Sequence, residues 1–281
     1  MKSRDWTSYA ATALFVLLWS SGALFSKIGL LHASAFALLV LRFAIALCVL
    51  SALAIARRRW LPEPEARARI ASTGALLIGC YAICFLLALD RGMTPGALAT
   101  VLGVQPLLTL LISERRFSMT RLLGLAIAFL GLTLVVWQSL IATQVSAAGA
   151  LFALAALASV TAGAVMQKAI SQPPMEVLPL QYAVTLLLCA GFVPFQPFTF
   201  ELSAGFLIPV LWLGLAISVA AQLLLYRLIQ AGNLVNVTSL FYLVPVVTAA
   251  LDYAFLGNRL PALSIAGMGA ILLGLMLVFR R

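Results

Sequence analysis

Phe129–Trp137 reads FLGLTLVVW and Leu272–Arg280 reads LLGLMLVFR, and the likeness of these two stretches decides the fold. It extends upstream, where Arg116-Phe117 aligns with Arg259-Leu260, and Gly124 and Gly131 align with Gly267 and Gly274. Nearer the start, Trp19–Lys27 (WSSGALFSK) and Val160–Lys168 (VTAGAVMQK) form a second pair of equal length. Pro106 and Pro245 each stand inside an apolar segment at the same relative place. The second half of the chain therefore repeats the first, and the two halves carry the same order of elements.

Composition places those elements in a membrane. Hydrophobic residues make up 64% of the 281 residues and charged residues 9%, far from soluble averages of roughly a half and a quarter. A net charge of +10 is also a mark of nucleic-acid binders, but here the Arg and Lys residues cluster in short loops. There they meet anionic headgroups and fix topology, so no nucleic-acid partner is expected. Cys48, Cys80, Cys84 and Cys189 all fall in apolar segments and read as small buried apolar residues. None stands near the His or carboxylates that a metal would need. The basic N-terminus before an apolar run resembles a signal peptide, yet Trp19–Lys27 has its counterpart in the second half, so the segment belongs to the fold.

Apolar runs bounded by charges, Gly or Pro predict ten spans, at 7–31, 33–56, 70–90, 94–113, 119–138, 147–169, 177–197, 205–228, 233–255 and 261–279. The expected fold is all-α and integral to the membrane, with five spans in repeat 1–140 and five in repeat 141–281. With the N-terminus inside, the external connections carry only Arg91 and Arg259, and the cytoplasmic segments carry nearly all other Lys and Arg. Both termini are then cytoplasmic, in the inner membrane of the cell. Five is odd, so the second repeat inserts upside down relative to the first. Inverted repeats of this kind build transporters.

The five-plus-five pattern resembles the drug/metabolite transporter superfamily, in particular its EamA-type ten-span exporters. The resemblance rests on Trp19 through Lys27, on Arg42, on Pro106 and Pro245, and on the closing Gly131-Leu132 and Gly274-Leu275. The family's turn before the last helix of each half is altered here, to Ser113-Glu114-Arg115 and Gly257-Asn258-Arg259. The resemblance covers the whole chain and implies a transporter. Its narrower likeness is to amino-acid exporters, including those for aromatic amino acids.

Candidate substrate-binding residues follow from cost. A charge at mid-bilayer costs at least about 2.5–3.5 kcal/mol, so such residues face a cavity or a partner. Lys27 near the end of span one and Arg42 in span two are candidates for holding a substrate carboxylate. Alternatively, Lys27 snorkels to the interface and Arg42 bonds backbone carbonyls. Asp252 reads either as a proton carrier or as a helix-end partner of Arg259. Trp19 and Ser20 sit mid-span beside Gly22; Tyr81, Gln105 and Gln222 are mid-span; Asn236, Ser239 and Tyr242 recur at i, i+3 and i+6 as a polar stripe. Such a set supplies the few polar groups that a mostly apolar pocket needs. Trp60, Trp137 and Trp212 read as interfacial anchors. Asp90, Arg91, Glu114 and Arg115 at turn edges are expected to be solvated. Pro106 and Pro245 are expected to kink their spans in matching places, as hinges or as fixed bends.

The reading that follows is a monomeric secondary transporter, without cofactor, that exports small amphipathic metabolites, most simply amino acids, by alternating access. A channel-like passive facilitator stays open beside it. An intramembrane enzyme is disfavoured, because the chain has one histidine, His32, and none of the hydrolase, metalloprotease or nucleotide-loop motifs.

Overall fold

A computed structural model describes residues 2–57, 61–114, 116–141, 146–256 and 261–280. Trp60, Arg115 and the turn Gly257-Asn258-Arg259 lie outside the described residues, as do the side chains of Lys27 and Asp252. All ten predicted spans are helical, and no strand occurs among the described residues. A bilayer offers the backbone no water, so apolar segments satisfy their N–H and C=O groups internally as helices.

The helices are α1 (Lys2–Gly29), α2 (Ala35–Ala56), α3 (Pro64–Asp90), α4 (Pro95–Ser113), α5 (Met119–Val135), α6 (Ala147–Lys168), α7 (Pro174–Phe195), α8 (Ala204–Ala231), α9 (Leu234–Ser239 running through Leu240–Tyr242 into Leu243–Leu256) and α10 (Ala262–Phe279). Seven of these are long and apolar enough to cross a membrane, and three shorter apolar helices complete the set. Their starts follow local chemistry. The Thr94 and Ser118 hydroxyls accept from the amides of Ala97 and Arg121, and the Asn233 side chain accepts from Val235 and Asn236. Pro95 and Pro174 occupy first-turn positions, where a missing N–H costs nothing.

The chain divides into two compact units, each built from both halves of the sequence. One comprises residues 1–80 and 162–231, the other residues 81–161 and 232–281. In the first unit the repeat is visible in the packing. Gly22 of α1 faces Ile217 of α8, and Gly163 of α6, its counterpart in the matching run, lies against the backbone of Leu77 of α3. Both receiving helices carry a π-helical stretch there, Ala75–Cys80 in α3 and Leu213–Ala221 in α8. Such widened turns are rare and often mark functional positions. Gly74 and Gly214 stand just before and within those stretches, packed on Gln181 of α7 and Ile45 of α2.

In the second unit α5 and α10 run antiparallel with their glycines interlocked. A Cβ at Gly124 would stand 2.7 Å from the carbonyl oxygen of Gly274, and one at Gly131 would stand 2.6 Å from that of Gly267. The reverse substitutions meet the carbonyls of Gly124 and Gly131 in turn. Only a residue without a side chain permits this approach. Leu125, Ala128, Leu132, Ile271 and Leu275 fill the rest of the seam.

Candidate functional site

The candidate residues fall into two sets, one in each unit. In the first unit Arg42 is the eighth residue of α2, roughly 10 Å along its axis. Its Nε and Nη2 donate to the hydroxyl of Ser218 at 3.2 and 3.0 Å, and its guanidinium carbon lies 4.9 Å from the centroid of Phe43. The Tyr182 ring tilts against Phe43 at 5.7 Å. Ser218 belongs to the π-helical stretch of α8. That widened turn delivers a hydroxyl to a half-buried cation.

Next to it runs a chain of buried amides. The Tyr226 hydroxyl donates to Gln181 Oε1, and Gln181 Nε2 donates to Gln167 Oε1 at 3.0 Å. Gln222 lies buried one turn before Tyr226 on α8. Gln167, Gln181 and Tyr226 are fully buried, and Gln167 Nε2 has no partner among the described residues. Trp19 tilts against Phe15 at 5.4 Å on α1. Ser20 turns its hydroxyl to the Val16 carbonyl at 2.7 Å. Lys168, which ends the run matching Lys27, donates to the carbonyls of Ile229 and Gln230 and so caps the end of α8.

In the second unit Tyr81 tilts against Phe85 at 5.8 Å. Gln105 and Pro106 are buried just after a break in α4 at Gly103-Val104. Helix α9 narrows to a 3₁₀ turn at Leu240–Tyr242, shortly before Pro245. Proline removes a helical donor and crowds the preceding turn, so each break has a local cause. The Tyr242 hydroxyl donates to the Gly103 carbonyl at 2.6 Å.

The expected stripe on α9 is divided among different tasks. Ser239 bonds the Val235 carbonyl, whereas Asn236 accepts from Arg121 at 2.8 Å. Arg121 also pairs with Glu114, and Asn233 bonds both. Glu114 is thus not solvated at a turn edge. Its side chain is 15% exposed and that of Arg121 is 19% exposed, because the cap of α9 brings two amides onto the ion pair. Asp90 and Arg91 do sit largely in the open, 3.9 Å apart. Trp212 is not simply an anchor: it stacks on Phe25 at 4.9 Å and donates its indole N–H to Ser21 Oγ at 2.9 Å, joining α8 to α1.

Sequence reasoning missed Ser218, Tyr182, Gln167, Gln181 and Tyr226 as members of these clusters. Polar residues at this spacing in apolar helices are the available signal, but which faces meet depends on helix rotation.

A family profile described as the EamA-like transporter family matches the chain twice, over residues 6–137 and 147–280. The chain is also similar to a solved structure titled "Crystal structure of protein", with 20% identity, a TM-score of 0.80 and 97% of each chain covered. That likeness concerns the fold. No match to a curated protein is found.

Proposed function

We propose a substrate and a cycle on one premise: the chain belongs to the EamA-like transporter family, whose members move small molecules across membranes. The substrate is a small amphipathic metabolite, most simply an amino acid, exported across the cytoplasmic membrane. Arg42 carries this reading. Its guanidinium is a planar fork of donors held inside a membrane span against Ser218, and that geometry matches a carboxylate. The surrounding rings of Phe43 and Tyr182 suit an apolar substrate body.

The cycle is alternating access by a monomer with both termini in the cytoplasm, as the asymmetry of Arg and Lys between loops supports. The kinks before Pro106 and Pro245 serve as hinges. Counterflow in proteoliposomes tests the reading. Preloaded unlabelled amino acid should drive transient accumulation of label. A passive channel would give none, and uptake confined to uncharged solutes would overturn the substrate class.

A further inference from the structure

Away from these residues, a cavity of about 520 Å³ opens where α2 and α8 end and α7 begins, all within the first unit. Arg57 enters it from the end of α2 and Arg227 from the turn before the last of α8. Both guanidinium groups are exposed. Neither has an ion-pair or hydrogen-bond partner among the described residues. Ser171 and Glu176 add to the polar side of the lining. Among the described lining residues, two arginines against one glutamate leave a single positive charge, and the start of α7 adds a partial one.

The walls are held in place. Gln230, which also lines the cavity, donates to the carbonyls of Ile170 and Gln172, and Lys168 fixes the end of α8 through the carbonyls of Ile229 and Gln230. Two forked cations from different helices converging on one rigid cavity form a receptor for a phosphate oxygen set. The Glu176 carboxylate opposes a polyanion and leaves room for one negative charge.

We infer that this cavity binds a singly charged phosphate ester, the group presented by an anionic glycerophospholipid headgroup or by a soluble phosphate ester. The location fits the lipid source. Basic pockets between helix ends at a membrane surface take anionic headgroups, and the cavity is larger than a phosphate group alone fills.

The test uses the full-length protein purified in detergent and titrated with phosphatidylglycerol in one arm and its soluble deacylated headgroup, the singly charged phosphodiester glycerophosphoglycerol, in the other, read by native mass spectrometry. One ligand per chain should be retained, Arg57→Gln and Arg227→Gln should each weaken retention about tenfold, and Glu176→Gln should strengthen it. Binding in the phosphatidylglycerol arm alone identifies the lipid as the source; binding in both identifies the phosphate ester itself. The Glu176→Gln arm reports a gain, which a misfolded variant cannot produce. The inference is overturned if the wild type retains neither ligand, if the double arginine variant binds as the wild type does, or if Glu176→Gln weakens binding. Transport of amino acids plays no part in these readouts, so the inference stands or falls apart from the proposed substrate.

Discussion

The hydroxyl of Tyr242 rests 2.6 Å from the carbonyl oxygen of Gly103, and so one helix break is tied to the other. Both residues stand three positions before their prolines. Breaking a helix exposes backbone groups that a lipid interior cannot satisfy, and the phenol supplies a donor at that place.

Tyr242→Phe keeps the ring and removes the donor. It should lower unfolding stability in detergent by about 1 kcal/mol, the usual worth of one hydrogen bond. It should also alter the rate of transport if the break is a hinge. A variant of unchanged stability and unchanged rate would remove Tyr242 from both roles.

Glycines on one helix should respond with opposite signs. Gly274→Ala places a Cβ 2.5 Å from the Gly124 carbonyl, while Gly269→Ala meets nothing within 4 Å. The first should cost roughly 1–3 kcal/mol from overpacking. The second should gain about 0.5–1 kcal/mol from lower backbone freedom. Thermal unfolding of the two variants side by side checks the pair.

Arg42 should discriminate carboxylates. Wild-type protein in proteoliposomes is expected to prefer an amino acid to its amide, and Arg42→Gln should lose that preference by about tenfold or more. Arg42→Lys keeps the charge without the fork and should recover only part of it. Trp19→Ala should impair transport of the same substrates while the protein still inserts. Equal handling of acid and amide by the wild type would end the assignment.

Gln181→Leu leaves the Tyr226 hydroxyl and the Gln167 amide without their buried partner. It should destabilise by about 1–3 kcal/mol. Adding Tyr226→Phe should cost less than the sum of the two single changes, since the second removes a group already orphaned. Additive losses in a double-mutant cycle would show that the chain of amides is not one network.

The helices and their repeat were legible because lipid leaves the backbone little choice: apolar length sets the spans, and Pro106 and Pro245 announce the breaks. The rotation of each helix was not legible. Asn236, Ser239 and Tyr242 are evenly spaced in the sequence, but Ser239 turns back onto its own helix at Val235, Asn236 meets Arg121, and the 3₁₀ turn at Leu240–Tyr242 shifts the phase of Tyr242. Glu114 looked like a loop residue because its partners Arg121 and Asn233 come from other segments. Ser218 was missed because nothing in LGLAISVAA signals a π-helical stretch.

The α5–α10 seam has the form of an isologous interface: Gly124 meets Gly274 as Gly131 meets Gly267, so the same surface is used on both sides. Two half-chains lying in opposite directions present matching surfaces to each other at this contact. The loop joining the halves therefore adds proximity and a fixed stoichiometry to an association whose geometry each half already carries.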